Sequence, residues 1–375
     1  MRNPFITNGY AGNRYFCDRI DETRTIVEML TNDNNIAVIS PRRVGKTELI
    51  KHCFSQKAIT DNYNTFIIDI YATTSLSDFI NVFGKAIVEA LRPKGRAVWE
   101  KFVQILTSFK SEISFDMNGL PVWNTSVGAI ANPQLTLDEI FTYLDNADKP
   151  CLIAIDEFQQ ITSYADRNIE ATLRTYVQRC TNAHFIFSGS QRHLMGAMFT
   201  SPSRPFYQSV NIINLPIIPM DKYVEFAMDK FTEAGKNLAP DVVPILYEKF
   251  DGVTSYLQKV MNVLWSRTDA GTTCTSDSVD EAIDYLLGLS SETYESLLYQ
   301  MPEKQKMVFM AIASEGRSRN VTSGKFVSKY HLVSASSVSS AVRGLVDKDF
   351  ITLEKDEYVV YDKMFALWLR NRGFV

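Results

Sequence analysis

The stretch Ser40-Pro41-Arg42-Arg43-Val44-Gly45-Lys46-Thr47-Glu48 carries residues able to hold a phosphate. It matches Gly-x-x-x-x-Gly-Lys-Ser/Thr at every position but the first, where the small residue Ser40 stands. The chemistry is that of backbone N–H groups wrapped around a phosphate at a helix N-terminus. Gly45 lets backbone approach where a β-carbon would intrude, Lys46 would reach the β- and γ-phosphates, and the Thr47 hydroxyl would ligate Mg²⁺. A second cluster ends the run Cys151-Leu152-Ile153-Ala154-Ile155 in Asp156-Glu157. Asp156 would hold Mg²⁺ through water, and Glu157 would orient and deprotonate an attacking water. Standing alone, two adjacent acids could instead cap the next helix; beside a phosphate loop they read as its metal and base partners. Both clusters fall where ligands of open α/β sheets collect, at strand carboxyl ends.

Such groups need a scaffold, and the apolar pattern supplies one. Ile36 to Ser40, Thr65 to Ile70, Cys151 to Ile155, His184 to Ser188 and Val210 to Leu215 are too short for helices and too continuous for half-exposed strands. They read as five buried strands of a parallel sheet. One-sided apolar stripes lie between them, such as Leu49, Ile50, Cys53 and Phe54, then Phe79, Val82, Phe83, Ile87 and Leu91. The 110 positions from Lys46 to Asp156 hold two strand–helix units, so an extra strand is expected between the two motif strands. The order predicts an α/β P-loop NTPase core over residues 1–219. An insertion near 92–134 reads as a helix at 97–109 followed by a hairpin. A small all-α lid with its linker follows over 220–302. Residues 303–375 read as three helices and a hairpin, the order of a winged helix-turn-helix.

The 375 residues are 45% hydrophobic and 22% charged, which excludes global disorder and a fold dependent on disulfide or metal staples. The formal charge of −4 excludes a chain that coats nucleic acid over its whole surface. It is unevenly spread: from residue 303 onward 12 basic and 8 acidic side chains give +4, leaving −8 on the rest. Five scattered cysteines without a CxxC, no signal-like apolar region and no long apolar run set the expectation of a cytoplasmic chain with reduced thiols and no membrane span. The four histidines lie far apart without metal-ligand spacing, and no GxSxG marks a nucleophilic hydrolase.

A further set of residues carries a resemblance. Asn3-Pro4-Phe5, Tyr15-Phe16-Cys17-Asp18-Arg19 followed by Glu22, Pro41 to Thr47, Ile155-Asp156-Glu157-Phe158-Gln159, Phe187-Ser188-Gly189-Ser190 and Tyr361 to Leu369 together resemble the archaeal-type ATPases of the STAND and AAA+ group. The likeness covers nearly the whole chain outside 92–134. It implies ATP with Mg²⁺ as ligands and places Arg19 and Glu22 on the adenine side; an ordinary i, i+3 ion pair is the alternative for these two. Ser190, with Ser188 as competitor, takes the sensor-1 position, or else caps the following helix. Arg192 and Arg204 stand as candidate arginine fingers or sensors, or as solvated surface arginines. Gly252-Val253-Thr254-Ser255-Tyr256 falls at the family's Gly-x-Pro lid turn, with Thr254 in the place of proline.

In the winged helix, Ser334 to Arg343 begins the recognition helix, with Val338, Ala341, Val342, Leu345 and Val346 expected to face the core. Its outer face would show serines and Arg343. DNA contact would run through Lys325, Ser336 and Arg343, with Lys329 and Lys355 adding charge and Asp347, Asp349, Asp356 and Glu357 opposing it. Docking to a protein or to the rest of the chain is the alternative. Two function readings follow: an Mg²⁺-dependent ATPase that switches the conformation of a regulatory or assembly protein, with a protein client and self-association through an arginine finger, or a DNA-binding regulator in which ATP is a slow switch.

Overall fold

The computed structural model describes residues 2–90, 113–115, 121–123, 133–166 and 168–373. It contains two compact units, Ile6–Phe226 with Val253–Ser255, and Ala227–Gly252 with the chain from Tyr256 onward and the N-terminal residues through Phe5.

The first unit is built on strands β1 (Ile36–Ile39), β2 (Asn64–Asp69), β3 (Cys151–Asp156), β4 (Ala183–Gly189) and β5 (Asn211–Asn214). Every residue of β1, β3 and β4 is buried, as continuous apolar runs require of strands covered on both faces. The order is β2-β3-β4-β1-β5 with all pairs parallel. A strand does lie between the two motif strands, as expected, but it is β4, which follows both in sequence; β2, from the segment between the motifs, takes the edge of the sheet.

Alternation sorts the side chains into two cores. Ala37, Ile39, Ile153, Ile155, Phe185 and Phe187 pack with α3 (Leu76–Ala90), α4 (Pro133–Asp145), α5 (Ile169–Arg179) and α6 (Arg192–Thr200). Ile36, Val38, Leu152, Ala154 and Ile186 pack with α1 (Ile20–Thr31) and α2 (Lys46–Phe54). Within the insertion, Ile113–Phe115 pairs antiparallel with Pro121–Trp123, the expected hairpin; the helix expected at 97–109 lies outside the described residues.

Helices α7 (Met220–Thr232), α8 (Val242–Lys249), α9 (Thr254–Arg267) and α10 (Asp277–Gln300) follow. A two-residue parallel pairing of Asn237–Leu238 with Thr273–Cys274 ties the segment before α8 to the one after α9, a link that periodicity does not reveal. Helix α10 runs for 24 residues, on through Gly288, Ser290 and Ser291, where its apolar stripe is interrupted. Then come α11 (Glu303–Glu315), β6 (Arg317–Ser318), α12 (Gly324–Lys329), α13 (Ala335–Asp347), β7 (Ile351–Glu354), β8 (Glu357–Val360) and α14 (Lys363–Asn371). The antiparallel sheet β6-β8-β7 and helices α11 to α13 make the winged helix. Asp362 caps α14 by accepting from Met364 N at 3.0 Å, and Phe365, Trp368 and Leu369 are buried beneath it. Among the described residues no helix is long and apolar enough to cross a membrane, and all five cysteines are free and buried.

Candidate nucleotide-binding site

The loop after β1 turns through two left-handed residues, Arg43 at φ 68° and Gly45 at φ 90°. The second is where glycine is needed, because an L side chain rarely adopts that backbone. A β-carbon placed on Gly45 would meet nothing within 4 Å, so the loop leaves open space where a phosphate must come against backbone. Val44 is buried and anchors the turn, and α2 starts at Lys46 with no side chain capping its first N–H groups. Lys46 is only 6% exposed and donates to Pro41 O at 3.3 Å. Burial lowers its pKa, against the opposing pull of Glu157 and Asp156. Ser40 fits in place of the pattern's first glycine, its hydroxyl donating to the same Pro41 carbonyl at 2.9 Å.

Strand β3 brings the acids to this loop. The Thr47 hydroxyl donates to Asp156 Oδ2 at 2.6 Å, Ser188 Oγ donates to Asp156 Oδ1, and Glu157 N donates to that same Oδ1 at 3.0 Å. Glu157 takes a left-handed φ of 55°, and its Oε2 accepts from Ser190 Oγ at 2.7 Å. The two serines at the end of β4 thus divide between the two acids. Glu157 holds the N-cap position of the following short helix and Gln191 that of α6, each without a side-chain capping bond, so neither the acids nor Ser190 act as side-chain caps there. Arg42 Nε donates to Ser190 Oγ at 3.0 Å, tying the phosphate loop to the Glu157 carboxylate through one hydroxyl. Pro41, Thr47 and Glu48 are half-buried and Arg43 is exposed.

Arg19 is buried ahead of α1, where it pairs with Glu22 at 2.8 Å and donates to Pro216 O at 2.6 Å. The i, i+3 ion pair is therefore present, and the carbonyl contact fastens the start of α1 to the segment after β5. Arg192 is exposed at the first position of α6. Arg204 is engaged elsewhere, in an ion pair with Glu170 of α5. In the winged helix Lys325, Ser336 and Arg343 are exposed, on α12 and α13. Val346, expected toward the core, is 39% exposed beside Arg343 in a groove between α13 and the β7–β8 wing.

Three features were not anticipated. Asp69 stands in register with Asp156 at the end of β2; loss of water there raises its carboxyl pKa, the Tyr71 N–H bond opposes this, and the charges of Asp156 and Glu157 add to the rise. Gln159 Nε2 donates to Glu157 Oε2 at 2.5 Å. Ser255 N donates to Arg43 O at 3.1 Å, so the lid-type turn touches the phosphate loop by backbone although it lacks the proline. Strand register and a turn that returns on itself create the first two, and neither leaves a spacing signal.

The residues present fit ATP and Mg²⁺. Open space before Gly45, a buried ammonium and an uncapped helix start suit a polyphosphate, and the Thr47 hydroxyl with the Asp156 carboxylate is the sparse oxygen set that Mg²⁺ shares with phosphate and water.

Comparison with known proteins points the same way. A family model described as an ATPase domain predominantly from Archaea matches residues 16–274, and one described as a probable winged helix domain matches residues 292–371. A Methanocaldococcus jannaschii protein described as an uncharacterized ATP-binding protein is 26% identical over 156 residues, which is 39% of this chain and 43% of that protein. This chain thus spans less than half of that relative. Among solved structures, a Walker-type ATPase of Pyrococcus abyssi superposes with a TM-score of 0.66 at 18% identity, over 98% of this chain and 99% of that one. The ORC2 protein of Aeropyrum pernix, solved with ADPNP and ADP, gives 0.59 at 12% identity over 100% and 99%. The ORC1 protein of the same organism, solved with DNA, gives 0.56 at 12% over 100% and 97%. At these identities the likeness is one of fold.

Proposed function

Because this chain belongs to the family of ATPase domains found predominantly in Archaea, we propose that it binds ATP with Mg²⁺, hydrolyses it, and uses the change of nucleotide state to switch conformation. The observation that carries the reading is the meeting of Thr47 with Asp156 beside the Glu157 carboxylate. Backbone N–H groups from Arg42 to Thr47 and the start of α2 hold the phosphates, and Lys46 offsets the charge that grows on them in the transition state. Thr47 and Asp156 would hold Mg²⁺, which would supply charge stabilisation to the bound phosphates. Glu157 takes a proton from the attacking water as its oxygen bonds to the γ-phosphorus, and the bond to the β-phosphate oxygen breaks. Ser190 senses the γ-phosphate, Arg19 and Glu22 border the base, and Glu48 supports the first turn.

The division of labour proposed is a core over 1–219, a lid and linker over 220–302 and a winged helix over 303–375. Buried free thiols agree with a cytoplasmic setting. Arg192, exposed at the start of α6, is the arginine best placed to act on a neighbouring copy in a homo-oligomer, and a protein client would read the switch. Phosphate release over many turnovers, with Mg²⁺ and with EDTA, tests the reading; release that is metal-independent or absent contradicts it.

A second reading, a DNA-binding regulator, is favoured by the exposure of Lys325, Ser336 and Arg343 on the winged helix. Anisotropy of labelled duplex against salt tests it: Arg343→Ala should weaken binding and lower the salt slope by about one, and no binding at low salt excludes it.

A further inference from the structure

We infer that Gln159 is a positioning residue for the hydrolytic step: its amide fixes one oxygen of Glu157 so that the other faces the attacking water. The inference rests on the reading of Glu157 as the base.

The backbone builds this contact deliberately. Glu157 turns left-handed at the end of β3, and a short 3₁₀ helix (Phe158–Ser163) begins at once. Phe158, fully buried with its ring 4.5 Å from that of Phe187, anchors the turn. The next residue is thereby brought back beside the acid. Gln159 is 4% exposed, and its Nε2 donates to Glu157 Oε2 at 2.5 Å. Ser190 Oγ donates to that same oxygen at 2.7 Å. Glu157 Oε1 accepts no hydrogen bond among the described residues. A carboxylate with one oxygen held by two donors and the other left as acceptor is oriented as a general base must be.

Two observations separate this role from ordinary packing. Gln159 Oε1 is buried with no hydrogen-bond partner, although buried polar atoms are almost always satisfied. The fold carries that cost in order to place the amide nitrogen. On β4, a β-carbon at Gly189 would lie 2.2 Å from Gln159 Oε1 and 2.6 Å from Met195 Sδ. Any side chain at Gly189 would therefore displace the amide, and the strand keeps a glycine there.

The test uses the full chain and separates turnover from stability. Gln159→Met keeps the volume and removes both the donor and the orphaned oxygen. We expect kcat to fall by about 10- to 100-fold, KM for ATP to stay within about twofold, and Tm to hold or rise. Gly189→Ala should give the same split between kcat and KM, with a lower Tm from overpacking. Gln159→Met with wild-type or faster turnover overturns the inference, as does a loss of kcat accompanied by a raised KM and lowered Tm. Glu157→Gln is measured alongside. If it loses turnover while Gln159→Met keeps it, the positioning role alone is wrong; if it retains wild-type turnover, the reading of Glu157 as the base is wrong and this inference falls with it.

Discussion

Thr47 and Asp156, 109 positions apart in the chain, are joined by a hydrogen bond of 2.6 Å from the threonine hydroxyl to Oδ2. The bond spans from the first turn of α2 to the end of β3, past the strand β4 that lies between β1 and β3. It brings together in advance the two protein groups proposed to hold Mg²⁺. Thr47→Val removes the hydroxyl at nearly constant volume. The expected result is an ATP affinity that no longer improves when Mg²⁺ is added, with a loss of about tenfold in the presence of the metal. Titration calorimetry with and without EDTA checks this; an unchanged Mg²⁺ effect contradicts the assignment.

Lys46 is a buried ammonium whose pKa lies below the ordinary 10.5, chiefly because burial removes its water. Its place in the fold is costly without a bound anion. Lys46→Met should leave the Tm of the nucleotide-free protein unchanged or higher, while abolishing the rise in Tm that saturating ATP gives the wild type. Linkage fixes the sign with pH. The folded chain holds this proton less tightly than the unfolded chain, so this group's contribution to stability rises as pH climbs through the window below 10.5. Any Tm advantage of the variant should therefore shrink from pH 8 toward pH 10. Scanning calorimetry across that range is the check.

Arg204 reads differently in the structure than in the sequence, where it stands among candidate fingers. Its guanidinium is paired with Glu170, whose pKa is raised by burial and lowered in part by Arg204. Arg204→Ala should cost about 2 kcal/mol, between the values of exposed and fully buried pairs, because the arginine is partly exposed. The folded carboxyl already binds its proton more tightly than in the unfolded chain. The loss should therefore be larger at pH 8 than at pH 5, where Glu170 without its partner takes up a proton. Urea unfolding at the two pH values measures it. A loss of turnover with full stability would restore a catalytic role.

The phosphate loop and the acids of β3 were legible because each is a local pattern at the end of an apolar strand, and β1, β3 and β4 were legible because burial on both faces leaves no alternation to misread; β2 and β5, expected to be buried, are partly exposed because they form the edges of the sheet. The winged helix was legible from the order of its elements. Gln159 was not: it takes on its role only when the left-handed Glu157 folds the next turn back, and nothing in the spacing marks that. The second half of α10 was hidden by Gly288, Ser290 and Ser291, which break the apolar stripe. The structure satisfies Ser291, whose hydroxyl accepts from Trp368 Nε1 at 3.0 Å and Arg372 Nη2 at 2.9 Å, so a buried serine stands where the helix pattern asks for an apolar residue. Val346 departs from its expected place for the opposite reason: its apolar character suits the core, but the wing leaves a groove beside it.

Single-turnover and steady-state phosphate release by Glu157→Gln, paired with its ATP affinity, tests the central claim most directly. The account predicts nucleotide binding within about threefold of wild type and turnover reduced by about 100-fold or more, so that the variant holds uncleaved ATP. Hydrolysis at the wild-type rate would contradict it.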